Sequence, residues 1–95
     1  MIDQKESPMG PSRPYLIRAL NDWILDNGGT PHLLIDATIN DVMVPEQYVA
    51  DGQIILNINP SAVQNLMLGN QAIEFNAKFG GVSVNVYVPV LAVVA

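Results

Sequence analysis

Cysteine is absent from the 95 residues, and histidine occurs only once, as His32. The chain therefore has no disulfide framework and no thiolate metal site, which fits a reducing cytoplasm. His32 and Asp36 share a face of a predicted strand, but about 13 Å separates them along it, too far for a direct pair. No serine lies in a nucleophile elbow, and no phosphate-binding glycine loop occurs. We therefore expect no catalytic site, no metal and no cofactor.

Basic residues are also scarce. Four Lys and Arg stand against nine Asp and Glu, for a net charge of −5, and beyond Arg18 the only Lys or Arg is Lys78. A chain without a basic stripe is a poor match for DNA, RNA or an anionic membrane. No apolar run approaches the roughly 20 residues of a membrane span, and the polar start does not resemble a signal peptide. A cytoplasmic location is the expectation.

The chain begins with a pattern typical of one helix. Residues 1–11 are polar and contain two prolines and a glycine, which predicts a disordered N-terminal segment. Ser12 can cap a helix that runs to about Asn27 and stops at Gly28-Gly29. The apolar side chains of this helix cover about half of its circumference, and the polar ones cluster opposite at Arg18, Asn21, Asp22 and Asp26. Either the helix lies in a concave sheet that buries the whole stripe, or one flank faces a second copy.

The rest of the chain alternates apolar and polar residues, which predicts short antiparallel strands at 31–37, 53–58, 63–68, 72–79 and 82–88. Asp51-Gly52, Gly69-Asn70 and Gly80-Gly81 supply turns. Residues 42–50 are uncertain, because Pro45 favours an edge or a bend. A helix followed by hairpin-linked strands predicts one mainly β domain over residues 12–95, either a small open barrel or two packed antiparallel sheets.

The strand at 72–79 predicts a recess. Its apolar face carries Ile73, Phe75, Ala77 and Phe79, and its other face carries Ala72, Glu74, Asn76 and Lys78. A small alanine between two phenylalanines leaves a notch that can accept a side chain from another molecule. Ordinary core packing is the simpler explanation for both rings.

Five blocks of sequence carry a specific resemblance. They are RPYLIRALNDWILDN at 13–27, TPHLLIDAT at 30–38, VPEQY at 44–48, DGQIILNI at 51–58 and IEFNAKFGGV at 73–82. In this order and spacing they resemble the stringent starvation protein B (SspB) family, over residues 12–95. The resemblance implies an Sm-like β fold and a homodimeric, non-enzymatic adaptor. Such adaptors bind the ssrA degradation tag and tether tagged proteins to ClpX, the unfoldase of the ClpXP protease.

The resemblance also implies where the partners bind. The strand matching EFNAKFGG contributes to the family's tag groove, with Ala77 as a small groove residue. The expected peptide-binding residues are Ala77, Phe75, Asn76, Lys78, Phe79 and Asn57. The helix is the family's dimer element, and the expected contacts are Tyr15, Leu16, Ala19 and Trp23. Of these four, Trp23 is the most readily explained as core. Lys78 stands where many relatives have arginine.

Other expectations concern the end of the chain and the alternatives. The family's flexible tail ends in a ClpX-docking motif, and this chain stops at Ala95, before any such tail. We expect a piece of a longer protein that binds the tag but cannot complete delivery. An RNA-binding Sm-like barrel is the alternative function, against which the negative charge argues. A structural dimer module without a ligand is a third hypothesis.

Overall fold

The computed structural model describes residues 10–95. One helix precedes five strands, at α1 Arg13–Asp26, β1 His32–Asp36, β2 Gln53–Asn57, β3 Val63–Leu68, β4 Ala72–Phe79 and β5 Val82–Pro89. All six elements agree with the predicted spans to within one residue at each end. The N-terminal segment predicted to be disordered lies, except for its last two residues, outside the described residues.

The helix ends as its sequence predicts, but it begins differently. The Gly28 amide donates to the Leu25 carbonyl at 3.0 Å and the Gly29 amide donates to the Ile24 carbonyl at 2.9 Å, which together form a Schellman motif. This motif requires the left-handed conformation of Gly28, whose φ is 75°. Ser12 precedes the helix, but its side chain makes no capping hydrogen bond. Ser12 therefore occupies the predicted N-cap position, but the predicted side-chain cap does not form.

The strands form two antiparallel sheets, one of β1 and β2 and one in the order β3-β4-β5. The chain end extends the first sheet, because the Leu34 amide donates to the Ala95 carbonyl and the Val94 amide to the Leu34 carbonyl, both at 2.8 Å. Met43 extends the second sheet by exchanging two backbone hydrogen bonds with Tyr87. The mainly β fold with two small, open sheets confirms the predicted fold class.

A turn with two left-handed residues precedes β2. Asp51 and Gly52 have φ values of 53° and 73°, and Ala50 and Gln53 exchange backbone hydrogen bonds across them. The predicted turn therefore forms, but β2 pairs with β1 instead of continuing that hairpin. The segment that was uncertain in the sequence, 42–50, holds a bridge at Met43 and a 3₁₀ turn at Glu46–Tyr48.

The core lies between the two sheets. It consists of the alternate apolar residues of the strands together with the segment after β5: Leu33, Ile35, Ile54, Leu56, Ile58, Val63, Ile73, Phe75, Val86, Val88, Ala92 and Val93. Burial of these side chains is the main stabilising contribution to the fold. The opposite face of each strand and the outer side of α1 lie outside this core and are available for binding partners.

Candidate functional site

A recess of about 380 Å³ opens beside the second half of β4. Its walls come from three segments of the chain and are Pro60, Ser61, Ala62, Val63, Gln64, Asn76, Ala77, Lys78 and Ser83. Ala77 pairs with Val63 on one side and with Val84 on the other, and it is half-buried against the core. Because an alanine side chain ends at Cβ, the wall at this position is low.

Polar residues precede and follow this alanine in β4. Asn76 pairs with Gln64 across β3, and Lys78 pairs with Ser83 across β5. Lys78 is exposed and is the only charged residue of the lining. The recess therefore offers amide and hydroxyl groups for hydrogen bonds and one positive charge for an acidic side chain.

Three of the six residues predicted for the peptide site lie together here, namely Asn76, Ala77 and Lys78. Phe79 lies just beyond, with its ring centroid 5.3 Å from that of Tyr48 at a tilt of 41°. Phe75 is only 3% exposed and belongs to the core, so its ring supports the sheet from the inner side. Asn57 ends β2, and its side-chain oxygen accepts a hydrogen bond from the Asn59 amide at 2.9 Å.

A second, more apolar recess of about 380 Å³ adjoins Phe79. It is lined by Leu34, Tyr48, Ala50, Gln53, Ile54, Ile55 and Phe79. Leu34 and Ile55 are cross-strand partners in the first sheet, so Phe79 places the end of β4 next to that sheet. The sequence did not predict that the loop residues Pro60, Ser61 and Ala62 belong to a site, and it did not predict this second recess. Both depend on pairings between segments that are distant in sequence.

The outer face of α1 is the other candidate surface. Tyr15, Leu16, Ala19 and Trp23, the four residues predicted for dimerisation, are all exposed, and Trp23 is 64% exposed. The alternative in which the sheets bury the whole apolar stripe is therefore wrong, and so is the interpretation of Trp23 as core. Leu20, 53% exposed, lies on the same face and was missing from the predicted set.

The inner face of α1 explains this orientation. Arg18 donates to the Leu68 carbonyl at 2.8 Å, and Arg13 donates to the Val93 carbonyl. Pro14 and Asn21 are buried, and Ile17 packs against the core. The helix thus turns part of its polar side towards the sheets and leaves its most apolar side exposed. A row of exposed apolar and aromatic side chains of this kind is typical of a protein–protein interface.

Asp36 ends β1 and lies in a hydrogen-bonded turn. Two hydrogen bonds from Thr38, one from its hydroxyl at 2.5 Å and one from its amide at 2.9 Å, hold the pKa of Asp36 below its ordinary value. This contact stabilises a turn. Within residues 10–95, no group of three or more His, Cys, Asp or Glu side chains is arranged to hold a metal ion. No helix in that range is long and apolar enough to cross a membrane.

Comparison with known proteins places the chain in a family. The model of the stringent starvation protein B family matches residues 11–95. The chain belongs to this family. A stringent starvation protein B homolog from Haemophilus influenzae is 52% identical over 90 residues, which are 95% of this chain and 60% of the relative. The chain therefore spans about 60% of the length of this SspB-family relative, and the resemblance seen in the five sequence blocks is confirmed.

Proposed function

We propose that this chain is the peptide-binding and dimerisation domain of a non-enzymatic protease adaptor. It binds ssrA-tagged polypeptides in the cytoplasm, and the whole protein delivers them to ClpXP. Membership of the SspB family supports the adaptor role. The structural observation that carries the proposal is the open recess beside β4, whose lining combines Ala77 with polar residues and with one positively charged side chain, that of Lys78.

The chemistry of the recess suits an extended peptide. β3 is an edge strand of its sheet, so a peptide running beside it has backbone groups available for hydrogen bonding. The low wall at Ala77 admits a side chain, while Asn76 and Gln64 offer amide donors and acceptors. Lys78 favours an acidic residue in the bound segment. No covalent step is needed for such a role, because binding alone raises the local concentration of the substrate at the protease.

The second part of the proposal concerns assembly. The exposed row on α1 pairs with the same row of a second copy and forms a two-fold interface that removes these side chains from water. Trp23 and Tyr15 supply the large aromatic contacts that dominate many interfaces. A dimer presents two peptide sites, so two tagged chains can be held at once.

A test of tag binding uses fluorescence anisotropy with a labelled ssrA-type peptide. We expect saturable binding by the 95-residue chain, and a loss of about three- to tenfold in affinity on the charge reversal Lys78→Glu, because an exposed ion pair contributes modestly. A peptide with its acidic residues replaced by amides is the matched control, and its affinity should change less. The difference should shrink at high salt.

Other outcomes of the same titration would contradict the proposal. Equal affinity of the wild type and Lys78→Glu for the acidic peptide would remove Lys78 from the site. Absence of peptide binding, together with salt-dependent binding of a single-stranded RNA, would favour the RNA-binding alternative.

A further inference from the structure

A row of four side chains crosses the outer face of the three-stranded sheet. Met67 pairs with Glu74, Glu74 pairs with Tyr87, and Tyr87 pairs with Met43. Side chains directly opposite each other on antiparallel strands lie about 5 Å apart, so the four form a continuous line. Both methionines at its ends are exposed by more than half, Met43 by 62% and Met67 by 61%.

This line forms one wall of a groove of about 410 Å³. The other wall is a chain of amides, in which Asn65 donates to the Asn76 side-chain oxygen at 3.1 Å and Asn76 donates to that of Asn85. Asn65 reaches Asn76 because β3 has an irregular register between Gln64 and Met67 and because Asn65 has a φ of 59°. Asparagine is one of the few non-glycine residues that adopt the left-handed conformation readily, and an irregular register of this kind can redirect a side chain.

The groove is distinct from the recess at Ala77. The two linings share Asn76 alone. The charged residue of the groove is Glu74, and that of the recess is Lys78. About 13 Å of extended strand separates these two residues. The two places on the sheet therefore select ligands of opposite charge.

We propose that this groove binds an arginine side chain flanked by aliphatic residues, carried by a segment of a protein partner. The Glu74 carboxylate can accept two parallel hydrogen bonds from a guanidinium group. The neighbouring Tyr87 offers a ring over which a cation is attracted. The exposed methionine side chains of Met43 and Met67 adapt their shape to flanking aliphatic groups.

The positions of the described Arg and Lys side chains indicate that a cation paired with Glu74 would come from a binding partner. The guanidinium of Arg18 is bonded to the Leu68 carbonyl and lies 4.6 Å from the centroid of the Tyr15 ring. Arg13 is bonded to the Val93 carbonyl. Lys78 is too far along β4 to neutralise Glu74. The net charge of −5 also attracts a basic segment over longer distances.

The experiment titrates the intact chain with a fluorescein-labelled octapeptide, made of glycine and serine apart from one arginine between two leucines. A second peptide has glutamate in place of the arginine. The variant is Glu74→Gln, and the matched control is Glu46→Gln, the same change at an exposed glutamate in the 3₁₀ turn. We expect the arginine peptide to bind the wild type and Glu46→Gln equally and Glu74→Gln about tenfold more weakly, as for a charge-assisted hydrogen bond.

Binding should be located as well as measured. In an NMR titration of the wild type, the arginine peptide should shift the amides of the Met67, Glu74 and Tyr87 row. An ssrA-type peptide should bind Glu74→Gln as tightly as it binds the wild type. The proposal is overturned if the arginine peptide does not bind at millimolar concentration, if Glu74→Gln retains full affinity, or if the glutamate peptide binds equally well. A loss of tag binding in Glu74→Gln would also overturn it, because the groove would then belong to the tag site.

Discussion

The side-chain oxygen of Asn21 is buried on the inner face of α1 and has no hydrogen-bond partner among the described residues. The residue is 8% exposed, and an unsatisfied buried amide carries a desolvation cost. Its neighbour on the inner face, Arg18, uses its guanidinium on the Leu68 carbonyl. The buried amide of Asn21 therefore lowers the stability of the fold.

Replacing this amide with an apolar group should recover that stability. We expect Asn21→Leu to raise the free energy of unfolding by about 1–2 kcal/mol, because leucine has the same branching of heavy atoms as asparagine and no polar atom to desolvate. Asn70→Leu, at an exposed turn position, is the control and should change little. Urea titrations of the three proteins provide the measurement, and a destabilised Asn21→Leu would mean that the amide has a partner that this account lacks.

Gly80 presents the reverse situation, a residue whose replacement should be costly. Its φ is 57°, and a Cβ built there would lie 3.2 Å from the Tyr48 hydroxyl oxygen. Gly80→Ala should therefore lower the free energy of unfolding by about 1–2 kcal/mol, through left-handed strain and this close contact. Gly10→Ala, where nothing lies within 4 Å, is the matched control. A thermal melt in which both variants match the wild type would show that the β4–β5 turn tolerates a side chain.

At the scale of elements, α1 shows what the sequence can and cannot determine. The span of α1 follows from local signals, since its apolar periodicity and the Gly28-Gly29 stop are read within a few residues. Which side of α1 faces the sheets depends on two contacts that are remote in sequence. Arg18 reaches Leu68, 50 positions away, and Arg13 reaches Val93, 80 positions away. No local pattern encodes these contacts, so the inward orientation of Arg18 and Asn21 could not be predicted.

The exposed side of α1 leads to a prediction about assembly. Ala19→Asp places a charge in the centre of the proposed interface, where burying it without a partner costs several kcal/mol, and the dimer should dissociate. Asp22→Asn, on the same helix, should leave assembly unchanged. Sedimentation equilibrium at tens of micromolar distinguishes the two variants. A wild type that is monomeric under these conditions would contradict the proposed dimer.

For the whole molecule, the strands and the core were predictable because period-two alternation is a local property. The pairing of the strands was less predictable from the sequence. The turn at Asp51-Gly52 forms, yet β2 pairs with β1. The candidate peptide site was found only in part for the same reason. Asn76, Ala77 and Lys78 are consecutive in β4, whereas Gln64, Ser83 and the loop before β3 join them only through the register of the sheet.

The central claim is that the recess at Ala77 receives a peptide, and Ala77→Gln tests it most directly. The longer side chain should fill the recess, so an ssrA-type peptide should lose its affinity in a fluorescence anisotropy titration while the thermal melt stays close to that of the wild type. Ala72→Gln, the same change at the other end of β4, should bind the peptide normally. Overpacking of a tight core would instead destabilise the domain by about 1–3 kcal/mol. A folded Ala77→Gln protein that binds the peptide as tightly as the wild type would contradict the account.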